Sequence, residues 1–525
     1  MTTLTVEERS DTRERTPAVG AMGPTSHTPG SVGQSIVRGA LALLSLQPLS
    51  WGASLLAAIA LPQLLGSEVL GQLVIATTIA AIGSTVTGLG VSEFLVRRVA
   101  QQPHTLRRDQ GVALTVQMVA ASAGFVVIAL LGWLFATSIV DFRFLLLALP
   151  VVLVAPAQTV LLSSFRGREQ HRNYARLLAA TTVLCMLGGI FALLVGGHGV
   201  AFLVTTAIML TATTLAGWRL SGLRPSFPAL NPALLSEAWQ FTRAGFPFLC
   251  WQVTQLAYSQ VDRLLLGMLV PASEVGWYAA AGRIVAIPIF IPTLIITPLF
   301  PALSRSANQP EILRRTVAQT LRFTLLLTVP LSAGTIVISS VVPSWLGWPA
   351  DFANAALPMS VLALQLPLVA AGMVLGSVLM AVGRERRLSI IAFVATLFNI
   401  GANLLLIPVL QAQTGNGGIG AAVVTVASEI LMLIGMVVLL PKHLLDPGSV
   451  WDITRIVIAG AGTAIVGVSL LPVAAVLSIV AGAATYIALV ALLRVLTIAD
   501  IRRVVDLLGD RLGRRSMAGS TETRP

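Results

Sequence analysis

Four polar side chains recur at helical spacing within one apolar stretch of the sequence, at Gln252, Gln255, Ser259 and Asp262. Separations of three, four and three residues place them on one face of an α-helix, and Arg263 adjoins that face. Charged groups inside an apolar segment usually face a protein interior or a water-filled cavity. We therefore predict that this stripe lines a cavity; hydrogen bonding to neighbouring helices is the alternative.

The next apolar stretch carries a second arginine, Arg283. The two stretches run in opposite directions, so Asp262 and Arg283 lie at similar depths of about 12–14 Å at 1.5 Å per residue. The sequence predicts a cationic site for an anionic headgroup, in which Asp262 holds Arg283 or exchanges a proton. Arg263 competes for the same carboxylate, and a purely structural ion pair is the alternative.

A third charged residue, Glu429, lies midway along a later apolar stretch that has no basic residue of its own. Burial favours the neutral form of a carboxyl, which makes proton exchange possible there. We predict that Glu429 couples transport to an ion gradient. A neutral glutamate that hydrogen-bonds Ser428 or another helix is the alternative.

Other polar residues of the apolar stretches fit structural roles. Glu93 is four residues from Arg97, so we predict an ion pair at the end of a helix. Asn399 and Asn403 have the same i, i+4 spacing and are predicted to form hydrogen bonds between helices.

These residues belong to a chain of 525 residues that is 55% hydrophobic and 11% charged. Apolar runs recur along it, and about 20 residues of helix cross the ~30 Å hydrocarbon core of a bilayer. We count about fourteen such runs and predict an all-α integral membrane protein. The net charge of +12 therefore does not indicate nucleic-acid binding.

The basic residues alternate with the apolar runs. All Lys and Arg residues except Arg143, Arg263 and Arg283 fall in tails and loops on one side of the predicted membrane. Positive charge marks the cytoplasmic side. We therefore predict a multi-pass protein of the bacterial cytoplasmic membrane, surrounded by membrane lipids, with both termini in the cytoplasm.

Two echoes indicate an internal duplication. Gly167-Arg168-Glu169 returns as Gly383-Arg384-Glu385, and Leu70-Gly71-Gln72-Leu73 resembles Val275-Gly276-Trp277-Tyr278. Six apolar runs separate the first pair, so both copies face the same side and the repeat is parallel. We predict two six-helix lobes around a central cavity, followed by a C-terminal helix pair.

The resulting organisation has six parts. They are a disordered cytoplasmic tail at 1–38, an N-terminal lobe at 39–220, a cytoplasmic linker at 221–243, a C-terminal lobe at 244–442, a helix hairpin at 443–497, and a cytoplasmic tail with an amphipathic helix at 498–525.

No pattern in the sequence indicates catalysis. A nucleotide-binding P-loop is absent, and the two cysteines, Cys185 and Cys250, are not spaced for a metal site. We expect no cofactor, no resident metal and no enzymatic activity.

Several blocks of the chain resemble the polysaccharide transporter, or oligosaccharide flippase, family. The second lobe carries most of the resemblance, which covers about 40–495, in the blocks Arg243–Pro247, Val261–Gly267, Val275–Arg283, Pro298–Arg305, Asn399–Pro408, Gly418–Ala422 and Ser428-Glu429. The superfamily of this family also holds multidrug exporters. The first lobe matches mainly through Gly167-Arg168-Glu169 and through the end of its second apolar run, and it has few charges inside the membrane.

The resemblance implies two six-helix lobes around a cationic cavity. It also implies translocation of undecaprenyl-diphosphate-linked oligosaccharide, driven by an ion gradient and delivered to glycan polymerase or ligase machinery. Asp262 and Arg283 fall on the acid and the arginine that recur in the family. The alternative within the fold is a multidrug or metabolite antiporter, which would bind cationic substrates at acidic residues. The alternative from another class is a membrane glycan polymerase or ligase, which would need a long outer loop that this chain lacks.

Overall fold

The computed structural model describes residues 29–139, 142–224, 232–306, 309–442 and 444–495. The regular elements in these ranges are helical. The chain begins with α1 (Pro29–Thr87), α2 (Val91–Gln101), α3 (Leu106–Ile139), α4 (Phe142–Ala148), α5 (Pro150–Gly167), α6 (His171–Leu194), α7 (Gly199–Ser221), α8 (Pro232–Leu269) and α9 (Ala272–Ala286). It continues with α10 (Phe290–Ser306), α11 (Pro310–Ile338), α12 (Val342–Trp345), α13 (Ala356–Ala363), α14 (Gln365–Ala381), α15 (Glu385–Thr414), α16 (Gly417–Leu439), α17 (Pro447–Leu470) and α18 (Ala475–Leu492).

Twelve helical stretches in the described residues are long and apolar enough to cross a membrane. The first of them, Ser45–Thr87, contains a break at Gly66, where a φ of 73° separates two helices within α1. The polar helix α8 is not among the twelve but has 38 residues, about 57 Å at 1.5 Å per residue. If the two halves of α1 are counted separately and α8 is added, the twelve stretches become fourteen, in agreement with the predicted number of about fourteen.

The helices form the predicted two-lobed membrane fold. By position in the chain, α1–α7 correspond to the predicted first lobe and α8–α16 to the predicted second, while α17 and α18 pack on each other and on α11. One apolar core joins the lobes through residues such as Leu70 and Ile75 of α1 and Val275 and Ala280 of α9, all with no exposed surface. The all-α integral membrane class predicted from the sequence is confirmed.

Two boundaries differ from the sequence prediction. Residues 29–38 were predicted to be disordered, but they are helical, since α1 already begins at Pro29. The physical reason is that extending an existing helix costs far less free energy than starting a new one. Residues 232–243, predicted to be linker, are the first turns of α8. Leu234 and Phe241 are buried there against the first lobe, and Arg108 forms an ion pair with Glu237. The predicted amphipathic helix within 498–525 lies outside the described residues.

The two Gly-Arg-Glu loops make the same kind of turn, but in a different register. After α5 the residue with positive φ is Glu169, at 57°, whereas after α14 it is Gly383, at 72°. The equivalent hydrogen bonds run from Gln170 N to Phe165 O and from Arg384 N to Leu379 O. The loops therefore correspond with an offset of two residues from the repeated letters.

The other echo brings its two copies together. A Cβ atom on Gly71 would lie 1.7 Å from the carbonyl oxygen of Ala272, and one on Gly276 would lie 2.0 Å from that of Ser67. The contact is reciprocal: Gly71 meets Ala272, four residues before Gly276, and Gly276 meets Ser67, four residues before Gly71. Helices α1 and α9 touch backbone to backbone, which non-glycine residues at these two positions would prevent.

A second close approach joins the lobes near the arginine-rich end of the molecule, where the Gly-Arg-Glu loops lie. A Cβ atom on Gly90 would lie 2.2 Å from the Gly245 carbonyl oxygen, and one on Gly245 would lie 2.5 Å from the Leu89 carbonyl oxygen. Gly90 also has a φ of 64°, which favours glycine. The lobes therefore touch at two places, beside Gly245 within α8 and just beyond the C-terminal end of α8 at Ala272.

Candidate functional site

A buried carboxyl, Asp262 of α8, is the centre of a hydrogen-bonded cluster that joins four helices. Its Oδ1 accepts a hydrogen bond of 2.8 Å from Asn403 Nδ2 of α15. Its Oδ2 accepts hydrogen bonds from Thr425 Oγ1 of α16 at 2.8 Å and from Tyr278 OH of α9 at 3.2 Å. Burial away from water makes such bonds valuable, because a carboxylate without donors is costly in an apolar interior.

The cluster continues behind Asp262. Asn403 Nδ2 also donates to Asn399 Oδ1 at 2.9 Å, and Asn399 Nδ2 donates to Ser428 Oγ at 3.1 Å. The two asparagines therefore do bond across helices, as predicted, but one of their partners is the candidate site itself. The side-chain oxygen of Asn403, Oδ1, is buried without a hydrogen-bond partner among the described residues.

The predicted ion pair between Asp262 and Arg283 is wrong. Among the described residues Asp262 makes no ion pair, and its acceptor positions are taken by Asn403, Thr425 and Tyr278. Equal depth on consecutive helices did not place the two charges on facing sides. Side-chain direction, which sequence spacing does not give, decided the outcome.

Arg283 instead lies with Arg263 in a separate space that we call the arginine cavity. Its volume is about 220 Å³, and both lobes line it, with Val74, Thr77, Thr78, Gln260, Arg263, Ala279 and Arg283. Arg263 donates to Gln260 Oε1, whereas Arg283 Nη1 is buried with no hydrogen-bond partner in the part of the chain described. A buried guanidinium nitrogen without an acceptor is ready to bind an anion.

Glu429 of α16 faces a neighbouring space, which we call the carboxyl cavity. Its Oε1 accepts a hydrogen bond of 2.6 Å from Tyr258 OH of α8. The cavity has a volume of about 220 Å³, and both Asp262 and Glu429 line it together with Ser259 and Arg263. Of the two alternative partners predicted for Glu429, Ser428 bonds to Asn399 instead, whereas a residue of another helix, Tyr258, does form the bond.

The remaining residues of the predicted stripe line a third and larger space. Gln252, Gln255 and Ser259 face the large cavity, of about 880 Å³, whose other wall comes mainly from α1, α2, α3 and α5 of the first lobe. Helix α8 thus borders the large cavity, the carboxyl cavity and the arginine cavity in turn between Trp251 and Arg263, a rise of about 18 Å.

Sequence reasoning missed the tyrosines. The chain has only four, and Tyr258, Tyr278 and Tyr174 each line one of these cavities. Tyr258 stands three residues after Gln255 and four before Asp262, so it continues the polar stripe of α8. A count of hydroxyl-bearing aromatic residues on that face would have found it. Thr425 carried no comparable signal, because threonines are common in these helices.

The cluster around Asp262 is chemically suited to a proton or a small hard cation. Carboxyl, amide and hydroxyl oxygens meet there on Asp262, Asn399, Asn403 and Thr425, and hard cations prefer oxygen ligands. Among the described residues no group of three or more His, Cys, Asp or Glu side chains could hold a metal ion.

Two proteins of Haloferax volcanii are similar to part of this chain. The probable low-salt glycan biosynthesis flippase Agl15 is 25% identical over 288 residues, which are 54% of this chain and 57% of that protein. The probable flippase AglR is 30% identical over 196 residues, 36% of this chain and 39% of its own length. The chain thus spans 57% of Agl15 and 39% of AglR, less than two thirds of either relative.

Solved structures establish the fold beyond this region. The lipid II flippase MurJ in an inward closed conformation matches with a TM-score of 0.69 at 14% identity, over 86% of this chain and 98% of MurJ. An inward-facing multidrug transporter of the MATE family matches with a TM-score of 0.54 at 15% identity, over 79% and 98%. The family model described as polysaccharide biosynthesis protein matches residues 60–348, more than half of the chain, so the chain belongs to this family.

Proposed function

We propose that this protein is a flippase for a lipid-linked oligosaccharide of the undecaprenyl-diphosphate type, used for cell-surface polysaccharide. The observation that carries the proposal is the buried, unpartnered Nη1 of Arg283 in a cavity between the two lobes. A diphosphate that crosses a low-dielectric interior needs compensating positive charge, and arginine binds phosphate oxygens through two parallel donors. Arg263 supplies a second cation in the same cavity.

The same proposal includes the setting of the protein. It lies in the bacterial cytoplasmic membrane with both termini in the cytoplasm, and hands its product to a glycan polymerase or ligase. Support comes from the distribution of arginines, which places the Gly-Arg-Glu loops on the positive side. The lobes alternate between access from either side, with the glycine contacts Gly71–Gly276 and Gly90–Gly245 closing one end or the other.

The direct test is translocation in proteoliposomes. Purified protein is reconstituted with a fluorescent polyprenyl-diphosphate-linked disaccharide, and a membrane-impermeant sugar oxidant reports which leaflet holds the probe. The proposal expects protein-dependent movement of the probe between leaflets. An equal rate in protein-free vesicles would contradict it.

A drug antiporter of the same fold has less support. Its acidic binding site would be the carboxyl cavity, whose volume of about 220 Å³ is below the ~300–1,000 Å³ of pockets that enclose drug-sized molecules. Its two carboxyls also accept hydrogen bonds from tyrosine and threonine rather than standing free. We assign them instead to an ion that drives translocation.

Replacement of Asp262 by asparagine is expected to slow translocation at least about tenfold while the protein still folds. The amide presents donors where Thr425 and Tyr278 now donate, and each hydrogen bond to a charged group contributes roughly 1.5–3 kcal/mol. The measurement is the translocation rate of the variant. The matched control is Asp351→Asn, since Asp351 accepts a bond from Trp277 outside the cavities. Equal rates in the two variants would rule out a role for Asp262.

Replacement of Glu429 by glutamine is expected to remove the dependence of translocation on an imposed proton gradient, because an amide cannot exchange the proton. The measurement compares rates with and without the gradient. Tyr258→Phe is the control: it removes the 2.6 Å hydrogen bond to Glu429 but keeps the carboxyl, so the dependence should persist. A gradient dependence that is unchanged in Glu429→Gln would exclude this residue as the coupling group.

A further inference from the structure

The large cavity differs in chemistry from the other two. Most of its lining surface is apolar, and the polar part consists mainly of neutral groups that both donate and accept hydrogen bonds, notably the amides of Gln158, Gln252 and Gln255. Serine and threonine hydroxyls fill the positions between them. Sugar hydroxyls also donate and accept at the same atom, so an amide-lined wall suits them better than a wall of fixed charges.

Two aromatic residues add apolar surface to this polar wall. Trp251 of α8 and Tyr174 of α6 belong to opposite lobes, and both line the cavity. Trp251 leaves 48% of its surface exposed, which is available for contact. Aromatic rings with one polar atom pack against molecules that have both apolar and polar faces, as sugar rings do.

The charged groups of the large cavity neutralise each other. Among the described residues that line it, only Glu93 of α2 and Arg166 of α5 are charged, and Arg166 Nη1 lies 2.7 Å from Glu93 Oε1. The sequence predicted that Glu93 would pair with Arg97, so this partner is a correction. The helices α2 and α5 pack together, and Arg166 reaches Glu93 across that contact.

We propose that the large cavity holds the glycan of the substrate and selects uncharged sugars, because the Glu93–Arg166 pair leaves it without a free charge. The inference rests on the proposed flippase function and adds the class of glycan. A uronic acid in this cavity would lose water without gaining a free cation, because Arg166 is already paired with Glu93. The diphosphate meets its cations separately, in the arginine cavity.

The volume of the cavity sets the size of the unit. About 880 Å³ lies within the ~300–1,000 Å³ typical of small-molecule sites, so a few sugar rings fit and a long polymer does not. The cavity therefore has room for a short oligosaccharide.

Two probes that differ only in charge test the inference. One is a polyprenyl-diphosphate-linked disaccharide of neutral sugars, and the other carries a uronic acid as its outer sugar. We expect the wild-type protein in proteoliposomes to translocate the neutral probe at least about tenfold faster than the acidic one. Equal rates for the two probes would overturn the inference but leave the flippase function standing, whereas movement of neither probe would count against the function itself.

The variant Glu93→Gln gives a second arm with a gain of activity. It releases Arg166 as a free cation, so translocation of the acidic probe should rise about tenfold relative to the neutral probe. Glu311→Gln is the matched control, because Glu311 pairs with Arg314 and Arg315 away from the cavity and should leave the ratio unchanged. A ratio in Glu93→Gln equal to that of the wild type would contradict selection by the ion pair.

The variant Arg166→Gln removes the cation and leaves Glu93 unpaired. It should reject the acidic probe at least as strongly as the wild-type protein does. Improved translocation of the acidic probe by this variant would contradict the proposal that the Glu93–Arg166 pair makes the cavity select uncharged sugars. The comparison of the neutral and the acidic probe with the wild-type protein tests the inference even where a variant fails to fold.

Discussion

Replacement of Arg283 by methionine is expected to abolish translocation of the lipid-linked probe without loss of folded protein. The side chain keeps a similar volume but is shorter and loses the guanidinium that lines the arginine cavity. Truncating one member of a buried, hydrogen-bonded charge pair costs roughly 2–5 kcal/mol, and the diphosphate is the partner that this cation meets during transport. Each 1.4 kcal/mol is a factor of ten, so the rate should fall well over tenfold.

Stability should change in the opposite sense. In the resting protein Arg283 Nη1 is buried without an acceptor, which is an unfavourable arrangement for a donor on a cation. An apolar side chain of similar volume removes that cost, so the thermal midpoint of the variant should be unchanged or higher. Loss of transport together with retained stability would separate a binding role from a structural one.

Two further variants sharpen this test. Arg283→Lys retains the charge but not the paired donors, so we expect intermediate rates. Arg143→Met removes an exposed arginine that does not line the arginine cavity and should transport normally. Normal translocation by Arg283→Met would refute the assignment of this residue to the diphosphate, and with it the main argument for the flippase.

Replacement of Gly276 by alanine is expected to prevent the close contact between α1 and α9 and to reduce translocation at least tenfold. The added Cβ would stand 2.0 Å from the Ser67 carbonyl oxygen. This oxygen and the Cα that carries the Cβ both belong to the backbone of a helix. Neither can move alone, so the helices must separate. Gly71→Ala should have the same effect, since its Cβ would lie 1.7 Å from the Ala272 carbonyl oxygen.

Cavity access provides a readout besides transport. A cysteine introduced at Thr77, which lines the arginine cavity, is to be labelled with an impermeant thiol reagent from the side opposite the arginine-rich end. The exposed native Cys250 is replaced by serine beforehand. Labelling should be slow in the parent protein and faster with Gly276→Ala, because the contact that covers this side has opened.

The matched control is Gly52→Ala in α1. A Cβ atom on Gly52 meets nothing within 4 Å, and alanine within a helix is favoured over glycine by about 0.5–1 kcal/mol. This variant should therefore transport normally and be slightly more stable. If Gly276→Ala behaved like Gly52→Ala in both labelling and transport, the lobes would not need this contact.

Sequence patterns predicted the parts of this fold that depend on periodicity. The long apolar runs and the one-sided arginines follow from what a bilayer demands of each helix separately, so they can be read without knowing its neighbours. The stripe from Gln252 to Asp262 was predictable for the same reason, since one helix determines which of its residues share a face. The structure places all of its residues on cavities.

Pairing between helices was not predictable in this way. Asp262 was expected to meet Arg283, its neighbour along the chain, but it bonds with Asn403 and Thr425, more than 140 residues away. Glu93 was expected to meet Arg97 but lies against Arg166, 73 residues away. In each case the partner is set by how helices rotate and cross, which depends on the packing of many side chains together.

The two repeated motifs show the same difference between what the sequence determines and what the tertiary structure decides. The sequence by itself determined that the chain is a duplicated, all-helical membrane protein with its polar residues concentrated on α8, because hydropathy, charge and repetition are properties of the order of residues. Only the tertiary structure decided that Gly71 and Gly276 face each other across the lobes, while the Gly-Arg-Glu letters are two residues out of register. Tertiary structure also divided one polar stripe between the large cavity and the carboxyl cavity, while the adjoining Arg263 reaches the arginine cavity, since each cavity needs walls from helices that are distant in the chain.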